Sequence, residues 1–486
     1  MSKIEETVII VGAGLAGICA SYYLLKNNIP HLILEKSSQI GGIWSSMCWP
    51  GIRCDTEIIN YSYSFRPLAS QQSLVSGKTI SNYLKATSED LGIIDKIRFD
   101  TEVIEARFCS AEKKWSIKTN GGYFKSQFII NANGYFRAKP YIPEFSGVDR
   151  FQGQVSHLFE LSADPDLRGK SIVLIGSGAS AISAAPALVK AGASLSLLQR
   201  SPSYIYEDSN RIGIFVNIAQ KLLRVGFSFP IASVNFFLQL KSDLVFVLFR
   251  KAPWIGKIFF RHHWKTTVDS ETYAEHFCPA YNPWEQRIPV ATGLKRLIRE
   301  KKIKLVTGRI DSFDESGIVL TDGRHISSDL CVLATGFNLN FFKFDIFVDN
   351  ELVDSRGINF YKGMMMGGIP NYFQPFGPPH TSFTRRVETI SKHIVKIMCY
   401  MHRHELDTVS IDRKKIAQVP RITPNYIMRN LEALPAIYGS LELPSIDNLC
   451  YYHFRPADYL FSGDAGTKTK TPAVRGYRAS PSENRG

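Results

Sequence analysis

The sequence predicts an α/β protein with two Rossmann-type dinucleotide-binding domains, the second of which carries a helical insert. This fold class follows from a unit of strand, glycine-rich turn, helix and strand that occurs near the amino terminus and again about 160 residues later. A chain of 486 residues is also too long for one hydrophobic core, so two or three domains are expected. Its content of 44% hydrophobic and 21% charged residues is that of a folded chain.

The first unit begins with four apolar residues, 8–11, which predict a buried parallel strand. A glycine-rich turn at 12–17 opens a helical pattern, and the following strand ends in Glu35, 18 residues after Gly17. Backbone N–H groups in such a turn bind a pyrophosphate, and an acid at the end of the second strand accepts ribose hydroxyls. The turn residues expected to surround the pyrophosphate are Gly12, Gly14, Ala16 and Gly17.

The second unit has its first strand at 172–175 and its next strand at 195–198. Beyond this next strand stands Arg200, where the first unit has an acid. A guanidinium can bind a 2′-phosphate in a bidentate manner, whereas a carboxylate would repel it. We therefore expect NADPH here and FAD in the first unit; a solvated surface arginine is the alternative interpretation. The residues expected to bind NADPH are Gly176, Gly178, Ala179, Ser180, Arg200 and Ser201.

Two nucleotides in one chain imply hydride transfer from NADPH to FAD, and the cysteines restrict what can follow. None of the eight cysteines forms a C-x-x-C pair, which argues against a disulfide framework, a structural zinc site and a dithiol reductase. We expect no metal and a reducing, cytoplasmic environment. An oxygenase, in contrast, would need a buried cation near the flavin to stabilise a flavin peroxide, which is an anion held away from water.

The net charge of +14 is concentrated in two segments. Residues 211–265 hold nine Lys and Arg residues and one acid, Asp243. Residues 463–486 hold five Lys and Arg residues and two acids. In the first segment the cations alternate with apolar runs, as in helices that lie on an anionic membrane surface. The other interpretation is an insert whose apolar face packs on its own domain. Nucleic acid is not expected as a partner because the apolar runs dilute the cations.

The start of the chain and its apolar runs bear on where the protein is expected to act. Residues 1–17 lack the pattern of a signal peptide, because their apolar run is short and carries glycines at fixed spacing. No uninterrupted apolar run is long enough to span a bilayer. Any membrane contact is therefore expected to be peripheral. The sequence does not indicate the oligomeric state.

Residues 41–55, GGIWSSMCWPGIRCD, resemble a motif of the Baeyer–Villiger monooxygenases, a family of class B flavoprotein monooxygenases. Trp49 departs from the motif, because the family usually has Phe or Tyr at this position. The segments HFCPAYNPWEQRIPV (276–290), LATGFNLNF and YKGMMMGGIPN resemble the ethionamide-activating branch in particular. The resemblance covers roughly residues 1–410. The matching motif positions are Gly42, Trp44, Pro50, Gly51 and Asp55.

This resemblance implies roles for individual residues. Arg287 matches the arginine that the family places over the flavin to stabilise the peroxide and the tetrahedral adduct, and Asp55 matches the acid that orients this arginine. A purely structural ion pair is the alternative for these two residues. Gln286 stands where many relatives have a lysine that helps to bind the 2′-phosphate, so Arg200 would carry more of that task. Further implied cofactor contacts are Gly42, Trp44, Asp55, Thr335 and Gly336.

The linker motif of the family, F-x-G-x-x-x-H-x-x-x-W, is incomplete in this chain. Phe151, Gly153 and His157 are present, but Leu161 replaces the final aromatic residue. His157 is implied to couple NADP binding to rotation of the domains; a linker histidine without chemistry is the alternative. Relatives that hydroxylate nitrogen or sulfur also lack the tryptophan, so Leu161 argues against strict ketone chemistry.

The sequence therefore predicts an FAD- and NADPH-dependent monooxygenase that inserts one oxygen atom of O2 into ketones and, as a second substrate class, oxidises sulfides or thioamides. One alternative is a flavin monooxygenase that oxidises nitrogen or sulfur without forming esters. Another is a catalytically weakened, membrane-associated flavoprotein. The expected domains are FAD-binding at 1–148 and 333–460, NADP-binding at 149–207 and 284–332, the helical insert at 208–283, and a basic, disordered tail at 461–486.

Overall fold

The computed structural model of the chain describes residues 4–134, 136–224, 229–339, 342–354, 359–376, 382–412, 436–437 and 454–463. Cys450 and the larger part of the predicted tail, 464–486, lie outside the described residues. Positions 461–463 of that predicted tail are described, and they belong to a β-strand.

Three stretches of the chain supply the secondary structure. The first contains β1 Ile4–Val11, α1 Leu15–Lys26, β2 His31–Leu34, α2 Ile43–Ser46, α3 Ile58–Tyr61, α4 Gly77–Asp90, β3 Ile97–Arg98, β4 Val103–Cys109, β5 Lys114–Thr119, β6 Gly122–Asn131 and β7 Phe136–Pro140. The second contains β8 Gln154–His157, β9 Ser171–Ile175, α5 Ala179–Lys190, β10 Ser194–Gln199, β11 Tyr206–Glu207, α6 Ile214–Arg224, α7 Phe229–Lys251, α8 Pro253–Trp264, α9 Ser270–Phe277, β12 Val290–Ala291, α10 Leu294–Arg299, β13 Ile303–Thr307, β14 Ile310–Phe313, β15 Gly317–Leu320, β16 His325–Ser327 and β17 Leu330–Leu333. The third contains β18 Phe337–Leu339, β19 Asp345–Val348, β20 Glu351–Leu352, β21 Asn359–Tyr361, β22 Met365–Met366, β23 Tyr372–Phe373, α11 Phe383–Arg403, β24 Leu406–Ser410, β25 Ala436–Ile437 and β26 Leu460–Gly463.

The first sheet has nine strands in the order β20-β19-β4-β5-β6-β1-β2-β3, with β23 also paired to β6. β1 runs parallel to β2 and to β6, whereas β4, β5 and β6 form an antiparallel meander. Val8 and Ile10 of β1 pack in the same cluster as residues of α1 and α11, while Ile9 and Val11 face Trp115 on the other side. Both faces of β1 are therefore buried, which explains its unbroken apolar run.

The second sheet consists of five parallel strands in the order β13-β10-β9-β17-β8. Leu174 and Leu197 on one of its faces pack with Ile182 of α5 and Leu294 of α10. The small antiparallel sheet of β14, β15 and β16 covers the other face. Each sheet contains the parallel strand–turn–helix–strand unit, β1–α1–β2 in the mixed first sheet and β9–α5–β10 in the parallel second sheet. These two units confirm the predicted α/β fold with two Rossmann-type domains.

The helices α6 to α9 form the insert between β11 and β12. The indole of Trp264, at the end of α8, is fully buried in the core of the second domain, where its Nε1–H donates to the carbonyl of Ile205 at 2.9 Å. Its ring stacks on Phe277 of α9 with 4.0 Å between the ring centroids. Part of the insert therefore packs on its own domain. Among the helices that the structure describes, none is both long and apolar enough to cross a bilayer.

The loop that follows α2 joins the two domains. Met47 and Trp49 leave the first domain and pack in the hydrophobic cluster of the second. Gly51 has a positive φ of 74°, and a Cβ atom on it would lie 2.4 Å from the carbonyl oxygen of Ser183 in α5. Only a residue without a side chain allows this close approach of the loop to the helix.

We predict that Gly51→Ala lowers the free energy of unfolding by about 1–3 kcal/mol, because the added methyl group forces α5 and the loop apart. Chemical denaturation followed by tryptophan fluorescence measures this loss. Gly121→Ala is the matched control, since nothing lies within 4 Å of the Cβ that it would gain. Equal stabilities of the two variants would contradict the packing described here.

Candidate active site

The glycine-rich turn after β1 has three glycines with different surroundings. Gly12 has a positive φ of 102°, and a Cβ atom on it would lie 2.9 Å from the carbonyl oxygen of Ala132. A Cβ atom on Gly17 would lie 1.9 Å from the carbonyl oxygen of Gly12, so the first turn of α1 packs directly on the loop. Gly14, in contrast, faces Gly42, whose Cα lies 3.6 Å from the Cβ position. The two glycines thus present backbone without side chains at this point, as close approach of a pyrophosphate requires.

Glu35 is buried at the end of β2, where its carboxylate accepts three hydrogen bonds. One comes from the backbone N–H of Ala13 at 2.7 Å, and two come from the N–H and hydroxyl of Ser37, both at 2.9 Å. The carboxylate is thus fixed beside the glycine-rich turn. A carboxylate has about four acceptor sites, so that capacity for a ribose hydroxyl remains.

Gly42 directly precedes the short helix α2, and Trp44 lies within it. Gly41 binds this loop to the glycine-rich turn, because its N–H donates to the carbonyl of Ala13 at 3.1 Å. Trp44 donates from Nε1 to the hydroxyl of Tyr61 at 2.8 Å, and the two rings meet edge to face. These contacts place the loop at 41–44 beside the turn that is expected to hold FAD.

The second glycine-rich turn follows β9 and is more open. Gly176 has a positive φ of 138°, and a Cβ atom on it would lie 2.6 Å from the carbonyl oxygen of Ala334. Nothing lies within 4 Å of a Cβ atom on Gly178, which precedes the first residues of α5, Ala179 and Ser180. Ala181 is fully buried and allows the helix to pack on the sheet. The turn therefore offers free space in front of the amino terminus of α5.

Arg200 and Ser201 follow β10 and are both exposed. Arg200 forms no ion pair with any residue in the described part of the chain, so its guanidinium is free to bind an anion. The preceding residue, Gln199, is buried and donates from Nε2 to the carbonyl of His276 and to the hydroxyl of Thr307. These bonds fix the strand end, so that Arg200 is the first residue to leave the core.

The side chains of Arg287 and Asp55 meet at the boundary between the two domains. Arg287 donates from Nη2 to the carboxylate of Asp55, although the two residues are 232 positions apart in the chain. The side chains are 38% and 21% exposed, respectively, so that the ion pair remains accessible from outside. The structure thus brings together the two residues that the sequence resemblance implied as catalytic.

The turn that carries Arg287 is fixed by its neighbours. The carboxylate of Glu285 accepts from both the backbone N–H and the side-chain amide of Asn282, at 2.9 and 2.8 Å. Trp284 adopts a left-handed backbone conformation with a φ of 71°, which is unfavourable for a bulky residue. Its ring packs edge to face on Phe246 of α7, with 5.6 Å between centroids. The insert thereby holds the strained turn in place.

Arg53 is a site residue that sequence reasoning missed. Its guanidinium crosses the domain boundary and donates from Nη2 to the carbonyl of Val290 at 2.7 Å and from Nη1 to the hydroxyl of Thr292. Burial lowers the pKa of Arg53, although Glu207 and Asp55 act in the opposite direction. Arg53 is two residues before Asp55, and its acceptor Val290 is three residues after Arg287. We call these two hydrogen bonds of Arg53 the Arg53 contact. No sequence pattern signals it, because one of its acceptors is a backbone carbonyl.

His157, Thr335 and Gly336 lie where the linkers cross between the domains. His157 is buried, its Nδ1 accepts from the N–H of Phe159 at 3.2 Å, and its ring packs on Phe337. Burial lowers the pKa of His157 more than Glu160 raises it, so that the imidazole is neutral at neutral pH. The hydroxyl of Thr335 donates to the carbonyl of Tyr141, and the carbonyl of Gly336 accepts from the N–H of Tyr141 at 2.8 Å. These contacts join the two linkers.

A cleft lies between the first domain and the start of the insert. Ile58 and Ile59 of α3 line it from one side, and Ile212 and Val216 line it from the other. Glu57 contributes a polar group, and burial raises the pKa of its carboxyl, with the charge of Asp208 acting in the same direction. Ser73, Arg211 and Gln220 also line it, so that the cleft has apolar and polar parts. Since Glu57 is two residues from Asp55, this cleft is a candidate path for a substrate.

Two Rossmann-type domains with an arginine–carboxylate pair at their boundary define the class of protein: a class B flavin monooxygenase. A family model described as "Pyridine nucleotide-disulphide oxidoreductase" matches residues 9–221. The FAD-containing monooxygenase EthA of Mycobacterium tuberculosis (strain ATCC 25618 / H37Rv) is 34% identical over 446 residues, which cover 88% of this chain and 90% of EthA. The chain belongs to the family of FAD-containing monooxygenases, and the resemblance inferred from its motifs is confirmed.

More distant relatives and solved structures agree with this assignment. The probable FAD-binding monooxygenase AlmA of Acinetobacter baylyi (strain ATCC 33305 / BD413 / ADP1) is 29% identical over 88% of this chain and 89% of its own length. A steroid monooxygenase bound to NADP superposes with a TM-score of 0.75 at 21% identity, covering 95% of this chain and all of the other. Cyclohexanone monooxygenase from Rhodococcus sp. Phi1 superposes with a TM-score of 0.73 at 18% identity, covering 95% of this chain and 100% of the other. At these identities the solved structures show the shared fold alone.

We predict that Arg200→Ala raises the Michaelis constant for NADPH about tenfold to a hundredfold and leaves that for NADH nearly unchanged. A charge-assisted contact with the 2′-phosphate contributes about 1.5–3 kcal/mol, and NADH lacks that group. Steady-state oxidation of both nucleotides measures the effect. Arg168→Ala is a control, because Arg168 is also exposed but pairs with Asp166. Equal losses with both nucleotides would exclude this role of Arg200.

Proposed function

We propose that the protein binds FAD and NADPH and transfers one oxygen atom from O2 to a ketone or to a sulfide. The observation that carries this proposal is the pair of Arg287 and Asp55 at the boundary of the two nucleotide-binding units. Relatives are named FAD-containing monooxygenases, and a solved structure of the same fold is described as bound to NADP. FAD, when bound, supplies the redox chemistry with NADPH and O2.

The described residues fit both nucleotides. Gly14 and Gly42 present backbone without side chains close to the buried carboxylate of Glu35, as the pyrophosphate and ribose of FAD require. The open turn at Gly178 and the exposed guanidinium of Arg200 suit a pyrophosphate and a 2′-phosphate.

Arg287 has the chemistry that oxygen transfer needs from the protein. Negative charge develops on the transferred oxygen and, with a ketone, on the carbonyl oxygen under attack. A guanidinium stays protonated at any pH of interest and can donate two hydrogen bonds to these oxygens. Asp55 holds one amine of the guanidinium, and the fixed turn at Trp284 holds the backbone, so that little reorganisation accompanies the reaction.

Arg53 acts as a positioning residue in this proposal. It ties the segment that carries Asp55 to the strand β12, which begins three residues after Arg287. Two bonds from one half-buried guanidinium restrain the separation of the two domains at this point. Exclusion of water from the site depends on this contact, and an electrostatic contribution is stronger when water is excluded.

The second candidate function is oxidation of nitrogen or sulfur without ester formation. Leu161, where the linker motif has an aromatic residue, packs among apolar residues of the second domain's core. An aliphatic side chain there offers neither a ring to stack nor a donor to bind. Product analysis with a cyclic ketone and a thioether under identical conditions distinguishes the two functions, because an ester forms only from the ketone.

We predict that Arg287→Ala still binds FAD and is still reduced by NADPH but forms little oxygenated product. Losing one fixed donor costs about 3 kcal/mol in the step that it serves, which is about a hundredfold in rate. The reduced enzyme should then release hydrogen peroxide. The ratio of product to NADPH consumed, measured together with hydrogen peroxide, reports this uncoupling.

Arg299→Ala is the control for that experiment, because Arg299 is an exposed arginine of α10 in the same domain. It should keep the ratio of the unmodified protein. Asp55→Asn should give a milder loss than Arg287→Ala, since the guanidinium remains but is less well oriented. A normal ratio of product to NADPH in Arg287→Ala would rule out the proposed site.

A further inference from the structure

The insert exposes an unusual share of the apolar surface. Sixteen large hydrophobic side chains are exposed among the described residues, and nine of them lie in α6, α7 and α8. Scattered single apolar residues are normal on a protein surface, but a concentration on three consecutive helices marks an interaction site. The nine residues are Ile214, Ile218, Leu222, Phe237, Leu244, Leu248, Trp254, Ile258 and Phe259.

The exposed face of α7 carries both apolar and cationic residues. Positions 237, 241, 244, 248 and 251 follow each other at spacings of four and three, so that they form one stripe along the helix. All five are exposed: Phe237, Leu244 and Leu248 are apolar, and the other two are lysines. Phe246 and Phe249 lie on the buried side of the helix. The helix thus has one apolar face that packs on its own domain and a second apolar face that is exposed.

α6 exposes apolar side chains along one of its faces. Among the side chains of α6 that the structure describes, Ile214, Ile218 and Leu222 share one face and are 70%, 49% and 38% exposed, whereas Gln220 is only 6% exposed. An amphipathic helix that packs only on its own domain normally buries such residues. On α8, Trp254 and Ile258 are 63% and 61% exposed. All three helices therefore present apolar groups to the outside, and α7 packs against both of the others.

The charge of this surface is of one sign. Residues 211–265 contain nine Lys and Arg residues, and their one acid, Asp243, is 3% exposed. The exposed cations include Lys221 on α6, Lys251 on α7 and Lys257 on α8. We call the exposed apolar and cationic side chains of α6, α7 and α8 the insert face. An occupant must offer both anionic groups and an apolar phase.

We propose that the insert face docks on the surface of an anionic lipid bilayer. Apolar side chains enter the boundary between headgroups and acyl chains, and the lysines bind the anionic headgroups. A second copy of the chain would bring a face of equal positive charge against it. The segments outside the described residues carry the same sign, since 413–453 holds five Lys and Arg residues against three acids and 464–486 holds five against two. Nucleic acid would leave the apolar groups exposed.

The insert face is coupled to the candidate active site, although the docking itself does not rest on the proposed function. Phe246 of α7 packs on Trp284 in the turn that carries Arg287. Ile212, two residues before α6, and Val216 within it line the cleft beside Glu57. A bilayer at the insert face would thus lie close to this cleft.

Vesicle binding tests the proposal directly. The full chain should sediment with vesicles of phosphatidylcholine that contain about 30 mol% phosphatidylglycerol and should bind far less to pure phosphatidylcholine. The triple variant Lys221→Glu, Lys251→Glu, Lys257→Glu should bind at least about a hundredfold more weakly, because each cation near such a surface contributes about 1 kcal/mol. Added salt should weaken binding of the unmodified chain.

The matched control reverses the charge of three exposed lysines that lie outside the insert: Lys85→Glu, Lys118→Glu, Lys170→Glu. It changes the net charge equally and should bind vesicles within about threefold of the unmodified chain, since each of the three lies outside the insert face. A loss of binding equal to that of the insert variant would overturn the proposal in favour of an effect of net charge. Failure of the unmodified chain to bind anionic vesicles at low salt would overturn it outright.

The fluorescence of Trp254 distinguishes insertion of apolar side chains into the bilayer from purely electrostatic contact with the headgroups. Lipids with brominated acyl chains should quench the part of the tryptophan emission that Trp254 contributes, and Trp254→Phe should remove this quenching while binding persists. No quenching in vesicles that bind the protein would exclude entry of the apolar groups. Dimerisation through the insert face, detected by sedimentation velocity and abolished by Ile218→Ser with Leu244→Ser, would also overturn the proposal, as would tighter binding of a DNA duplex than of vesicles.

Discussion

The contact between residues 51–55 of the first domain and residues 287–292 of the second determines the candidate active site. An accessible ion pair such as that of Arg287 and Asp55 contributes little stability by itself. The neighbouring contacts fix its geometry: Gly51 packs against α5 without a side chain, and the half-buried guanidinium of Arg53 binds strand β12. The pair is therefore held by its surroundings rather than by its own attraction, as a preorganised site requires.

The two glycine-rich turns illustrate how similar motifs serve different surroundings. Gly12, Gly17 and Gly176 are required by the fold, since a Cβ atom on any of them would lie within 3 Å of a backbone oxygen. Gly14 and Gly178 meet no such obstacle, so that their lack of a side chain leaves room for a ligand. Local packing and nucleotide binding thus account for different glycines of the same motif.

The insert has two apolar surfaces, and each has a separate consequence. The buried one, with Phe246 and Trp264, anchors the helices to the second domain and supports the strained turn at Trp284. The exposed one carries lysines among its apolar residues, and the one acid of residues 211–265, Asp243, is buried. Within the described part of the chain, the domain covers one apolar side of these helices and leaves the other exposed, which is the basis of the proposed docking.

The sequence by itself determined both nucleotide-binding units, because glycine spacing and four-residue apolar runs are local features with one structural solution. The match to a known motif also indicated Asp55 and Arg287, and the structure brings them together. Only the tertiary structure shows that Arg53 binds residues 290 and 292, since these acceptors are distant in sequence and one is a backbone carbonyl. Periodicity likewise showed which residues of α6 share a face, but not that this face points outward, because orientation depends on what the remaining chain covers.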